Sequence, residues 1–160
     1  MPPPPVLPCR VVPLAERPDC VELVAAWGFA EWGHLAPDQT LAMRVDRVRA
    51  GLDTTRLPVT FLALDAGGNP AGTASLMRDD LEGDPRNPWL ASVYVRPEAR
   101  RRGIAGLLVR AGEDAARRLG FARLYLFTAS VPALYAGLGW QARETRDYRG
   151  ERITVMDRDL

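Results

Sequence analysis

The sequence predicts an α/β fold, a mixed central β-sheet of about six or seven strands flanked by four helices. Three observations carry this expectation. Short runs rich in β-branched and aromatic residues alternate with stretches of helical periodicity. Gly- and Pro-containing turns punctuate them. The 160 residues are 47% hydrophobic and 26% charged, the balance of a globular domain with a buried core. With no internal repeat and no linker, residues 1–160 read as one domain.

The elements follow in order. Met1 to about residue 8 is a Pro-rich run that reads as an extended, flexible leader. Cys9–Leu14 is short, partly β-branched and bounded by Pro, an edge strand. Pro18-Asp19 opens a helix with Asp19 as its cap and Val21, Val24, Ala25 and Trp27 on one face. Asp38 is placed to cap a second helix, whose face is Leu41, Val45, Val48 and Leu52. Val59–Leu64 and Ala71–Met77 form a hairpin, and a polar stretch from Arg78 to Pro88 leads to the strand Trp89–Val95. Ile104–Leu119 is the clearest amphipathic helix, with Ile104, Leu107, Leu108, Ala111, Ala115 and Leu119 on one face and Gly120 closing it. Ala122–Phe127 is a strand and Pro132–Ala136 a short helix. Strands near Gln141–Thr145 and Arg152–Asp157, joined at Arg149-Gly150, end the chain.

Composition excludes several functions. All 21 basic residues are Arg, so the amine required by P-loop NTPases, Schiff-base enzymes and pyridoxal-phosphate enzymes is missing. A net charge of +1 argues against a nucleic-acid partner. His34, Cys9 and Cys20 do not make a zinc ligand set, so no metal is expected. Two cysteines give no disulfide framework, and the N-terminus shows neither signal peptide nor membrane span. A cytoplasmic protein without a membrane partner is the expectation.

Chemistry concentrates between Val93 and Gly106. A basic, Gly-containing loop (Arg100, Arg101, Arg102, Gly103) connects a buried strand to the start of the best helix at Ile104, Ala105 and Gly106. The first amides of a helix have no intrahelical partner, the helix dipole adds partial positive charge, and Gly lets a ligand approach the backbone. Such a turn suits an anion the size of a pyrophosphate. Its alternatives are a solvated Arg run, or a dinucleotide site of which only one Gly of G-x-G-x-x-G is matched.

Arg100-Arg101-Arg102-Gly103-Ile104-Ala105 resembles the R/Q-x-x-G-x-G/A signature of the GNAT acyl-CoA N-acyltransferase superfamily. Val93-Tyr94-Val95-Arg96-Pro97 is similar to that family's central strand, and Tyr135-Ala136-Gly137-Leu138-Gly139-Trp140 to its Y-x-x-x-G-F/W segment. The resemblance implies acetyl-CoA as cosubstrate, with its pyrophosphate on the amides of Arg101 to Gly106. It also implies that the pantetheine arm adds to the strand edge at Val93, Tyr94 and Val95. Thr128-Ala129-Ser130 stands where relatives often carry Asn, so Ser130 is the substitute hydrogen-bonding group. Ser92 replaces the Glu that many relatives use as general base.

The resemblance puts Tyr135 beside the departing CoA sulfur. An ordinary phenol, near pKa 10, donates a proton to a thiolate of about 8.5 only uphill, by roughly 2 kcal/mol. Tyr135 is therefore expected to stabilise the thiolate through a hydrogen bond. The base is sought on flanking loops. Glu31 is favoured because partial burial beside Trp32 would raise its pKa, over His34 and the pair Asp79 and Asp80, which are expected to remain ordinary acids. Trp32, His34, Asp79 and Asp80 are expected to line the acceptor site. The acceptor is a small-molecule amine or a peptide N-terminus, and the protein a monomer or homodimer. A non-catalytic acyl-CoA-binding domain is the alternative function.

Overall fold

The computed structural model describes residues 9–160, and the flexible leader expected at residues 1–8 lies outside them. Seven strands form one sheet: β1 (Arg10–Pro13), β2 (Val59–Leu64), β3 (Pro70–Met77), β4 (Trp89–Val95), β5 (Arg123–Thr128), β6 (Gln141–Tyr148) and β7 (Glu151–Asp159). Their spatial order is β1-β2-β3-β4-β5-β7-β6. Every neighbouring pair is antiparallel except β4 and β5. Four α-helices flank the sheet: α1 (Val21–Trp32), α2 (Leu41–Ala50), α3 (Ile104–Arg118) and α4 (Pro132–Gly137).

Alternation along β2 builds both layers at once. Phe61 and Ala63 join the cluster under α3, whereas Leu62 and Leu64 join Val12, Leu14, Val21 and Val24 beneath α1 and α2. On α3 the buried face is Ile104, Leu108, Val109, Ala115 and Ala116. Leu107, expected on that face, is 43% exposed, because Val109 and Gly112 instead lie against the sheet.

Two helix starts differ from expectation. Asp19 does not cap α1: its carboxylate is held by Arg17, Nε to Oδ1 at 3.0 Å, and α1 begins at Val21 after a 3-10 turn over Pro18–Cys20. Thr40, not Asp38, caps α2, its Oγ1 accepting from the Met43 amide at 3.1 Å. The last two strands run longer than expected. β6 is an edge strand with almost every residue exposed, so no hydrophobic alternation marks its length. No helix among the described residues is long and apolar enough to cross a membrane.

Candidate active site

The sheet splits where the chemistry was expected. β4 and β5 are paired only at Trp89 and Tyr125 and then diverge, so the β4 edge from Ser92 to Val95 has no partner strand on that side. On its other side β4 pairs with β3 through a bulge between Thr73 and Ser75, and Ser92 takes a left-handed backbone with φ 54°. A bulge re-aims a strand, and this one turns the middle of β4 toward the opening. A cleft runs through the split. Val93, Tyr94, Val95, Arg100, Arg101, Gly103, Ile104, Ala105, Gly106, Ser130 and Tyr135 line it, and so do Glu31, Trp32, His34, Asp79 and Asp80. The two groups expected from sequence therefore meet in one cleft. Arg102 is the exception and points elsewhere on the surface.

At the loop end, Gly103 sits at φ 78° immediately before α3. Its left-handed backbone is one that side chains with a Cβ adopt at a cost, which is the physical reason for glycine there. Among the described residues the backbone amides from Arg101 to Gly106 donate to no carbonyl, while Leu107 N–H closes the first turn on Gly103 O at 3.2 Å. The row of donors stands at the positive end of the α3 dipole and shares the cleft with the open strand edge. Arg100 has a structural task as well: Nε donates to Val95 O at 2.9 Å, and its guanidinium lies 5.8 Å from the Tyr94 ring centre.

Tyr135, on α4, is 6% exposed and packs edge-on against Trp140, ring centres 6.3 Å apart. Burial pushes its hydroxyl up to about 12, so it remains a protonated donor throughout the working range. Thr128 Oγ1 accepts from the amides of Ser130 and Val131, at 3.3 and 3.2 Å, and Thr128 and Ser130 both line the cleft.

The residues expected to line an acceptor site correct two expectations. Glu31 is exposed, so the burial expected to tune it is absent. Of the acids expected there, Asp80 is the shielded one: its side chain is only 16% exposed, and desolvation pushes its carboxyl up to about 6 against the opposing pull of Arg47 and Arg44. Asp80 Oδ1 stands 3.7 Å from Arg47 Nη2. Asp79 next to it is exposed. His34 is exposed and lies 3.6 Å from Glu151. Arg149 at the β6–β7 turn donates to Leu35 O at 3.0 Å and to Glu82 Oε2 at 2.6 Å, tying the hairpin tip to the α1–α2 connector and the β3–β4 loop. Trp32 and Trp27 flank Tyr94, with ring centres 6.4 and 5.4 Å away, and form an aromatic wall there.

Sequence reasoning missed Arg44, Arg47 and Arg149, which all line the cleft. Arg44 and Arg47 lie one turn apart on α2 beside its apolar stripe, a pattern shared by any solvated helix face. Arg149 sits in a turn chosen for backbone geometry, and nothing local marks its reach. Among the described residues no group of three or more His, Cys, Asp or Glu side chains converges as a metal site.

A split parallel pair, a helix N-terminus aimed into the split and a buried phenol opposite define an acyl-transfer cleft. The family model for the acetyltransferase (GNAT) family matches residues 19–140, and the chain belongs to that family and is an acyltransferase. The same fold occurs in solved structures. Spermidine N-acetyltransferase from Vibrio cholerae, in complex with CoA and spermine, is 17% identical with a TM-score of 0.70, covering 94% of this chain and 95% of that one. A GNAT-family acetyltransferase from Streptococcus pneumoniae is 15% identical with a TM-score of 0.66, covering 96% and 100%. An aminoglycoside 6'-N-acetyltransferase complexed with coenzyme A is 12% identical with a TM-score of 0.71, covering 94% and 96%. No curated protein sequence matches the chain.

Proposed function

We propose that residues 1–160 form one cytoplasmic N-acetyltransferase, monomer or homodimer, that moves the acetyl group of acetyl-CoA to a primary amine by direct attack in a ternary complex. The observation that carries this reading is the row of unpaired amides at Arg101–Gly106, opening onto the free β4 edge and Tyr135. The fit to acetyl-CoA is favourable. Oriented amides at a helix start suit a pyrophosphate, a free strand edge suits the amide-bearing pantetheine arm, and Ser130 adds a hydroxyl. When bound, acetyl-CoA supplies the thioester carbonyl that the amine attacks.

The residues divide the remaining work. Asp80 takes one proton from the acceptor's ammonium, directly or through water. An α-amino group of pKa about 8 hands a proton to an ordinary carboxylate near 3.9 at a cost of about 4 units, roughly 5.5 kcal/mol. Against Asp80 at about 6 the gap is about half as large. The amine nitrogen then bonds to the carbonyl carbon, the C–S bond breaks, and the second nitrogen proton ends on the sulfur. Tyr135 stabilises the departing sulfur by a hydrogen bond. With its hydroxyl at about 12, proton donation to a thiolate of about 8.5 is uphill by about 3.5 units, so Tyr135 keeps its proton. Glu31, exposed on the rim, is better placed to attract an acceptor than to act as base.

The hairpin tip held by Arg149 narrows the acceptor end, which favours a small molecule over a peptide N-terminus. The experiment is thiol release from acetyl-CoA across a panel of amines, with acetyl-CoA binding followed in parallel by the rise in Tm. Thiol release on an amine together with a Tm rise is expected; binding without turnover on any amine would contradict the reading.

A further inference from the structure

Beside the cleft lies a small cavity of about 40 Å³, room for a carboxylate group or roughly three waters. Trp32, Arg44, Arg47, Met77 and Ser92 line both spaces and so form the mouth between them. Hydroxyls of Thr60, Thr73 and Ser75 line the interior. Thr60 and Ser75 bond to each other at 2.9 Å and Thr73 donates to Phe61 O at 2.9 Å, whereas the Ser92 hydroxyl has no partner among the described residues.

Arg44 is built into this mouth. A Cβ at Gly28 on α1 would lie 2.7 Å from Arg44 Nε, 3.0 Å from Nη2 and 3.2 Å from Cζ, so glycine is what lets the guanidinium seat on the helix backbone. Its Cζ lies 5.9 Å from the Trp32 ring centre, one turn further along α1. Helix backbone and indole of α1 together seat a half-buried guanidinium, yet among the described residues no carboxylate comes within 4.0 Å of it and it donates no hydrogen bond. Its neighbours are matched: Arg47 with Asp80, Arg149 with Glu82, and Glu151 with His34. A half-buried, oriented cation that feels Asp80 only at longer range, with no carboxylate in direct contact, has its fork free for an anion, and a guanidinium fork fits a carboxylate in two-point contact. A purely cationic acceptor meets the like charges of Arg44 and Arg47 at the same place, and the acids Glu31 and Asp79 that would attract it stand on the exposed rim.

We propose that the acceptor is a small amino acid, with its carboxylate held by Arg44 and Ser92 at the cavity mouth and its amine presented to Asp80. The proposal rests on the acetyl-transfer reading above and names the substrate class of that site. The test uses the full chain with acetyl-CoA and the standard α-amino acids, each beside its own carboxamide, with spermidine as cationic comparator. At least one amino acid is expected to be acetylated, with kcat/KM exceeding that of its carboxamide by about 10- to 100-fold, the scale of one charge-assisted contact. Arg44→Gln is expected to bring that ratio close to one, chiefly through KM. Gly28→Ala, which displaces the guanidinium without removing it, should lower the ratio too, and circular dichroism establishes that both variants fold. Equal rates on acid and carboxamide, a preference that survives Arg44→Gln, or turnover of spermidine with none of any amino acid each overturn the inference while leaving acetyl transfer intact. No thiol release with any amine and no Tm rise with acetyl-CoA would instead bring down the acetyl-transfer reading, and this inference with it.

Discussion

Replacing Asp80 with Asn should stabilise the protein and disable it together. An aspartate in an unfolded chain titrates near 3.9, whereas burial holds Asp80 at about 6 in the fold. The folded state thus grips the proton more tightly than the unfolded state. The stability this gives is complete below about pH 4, is lost as pH rises to about 6, and above that the ionised carboxylate is a standing cost. Two units correspond to about 3 kcal/mol, so Asp80→Asn should gain up to that amount at pH 7.5 and nothing below about pH 4. For a chain of this size the gain appears as a Tm rise of about 6–12 °C. Activity should move the opposite way. The wild-type kcat/KM profile should show an acidic limb near pH 6, and Asp80→Asn should lose that limb with about 100- to 10,000-fold of the rate. Thermal melts at the two pH values and a pH–rate profile measure both effects. An Asn variant that is less stable at pH 7.5 and retains the acidic limb would refute the reasoning on both counts.

Other predictions follow from the same geometry. Tyr135→Phe should keep acetyl-CoA affinity within a few-fold while turnover falls about 10- to 1000-fold, the effect of losing one positioned donor, as steady-state kinetics would report. Gly103→Val should weaken acetyl-CoA binding by calorimetry. The cause is backbone strain at φ 78° and not collision within the protein, because a Cβ there meets nothing within 4 Å. Glu31→Gln should preserve the acidic limb of the pH–rate profile, which the proposed mechanism assigns to Asp80. Arg149→Ala should raise acceptor KM and leave acetyl-CoA affinity unchanged, because it frees the hairpin tip from Leu35 and Glu82 and removes no bond to the Arg100–Gly106 loop.

Local features were legible in the sequence, and burial created by distant segments was not. The loop Arg100–Gly106 could be read as a turn with a left-handed Gly before a helix start because strand, Gly and helix start are consecutive in the chain. β2, β3, β4 and α3 were likewise written in their own periodicity. Asp19 and Asp38 looked like caps because cap residues are recognised by type, yet Arg17 captures Asp19 and Thr40 is better placed on α2. Asp80 and Glu31 exchanged environments for a tertiary reason. α2 packs beside the β3–β4 loop and shields Asp80 with Arg44 and Arg47, whereas the last turn of α1 leaves Glu31 outside. The seat of Arg44 on Gly28 joins residues on different helices, and neither residue alone suggests it. The β4–β5 split was foreseen only as a free edge at Val93–Val95; its position inside the sheet follows from pairing that stops at Trp89.

The most direct measurement is a crystal structure of the protein with acetyl-CoA bound. The account predicts pyrophosphate oxygens within about 2.7–3.2 Å of the amides from Arg101 to Gly106, the pantetheine arm paired along Val93–Val95, and the thioester sulfur within hydrogen-bonding reach of the Tyr135 hydroxyl. A pyrophosphate lodged elsewhere, with those amides facing only water, would contradict it.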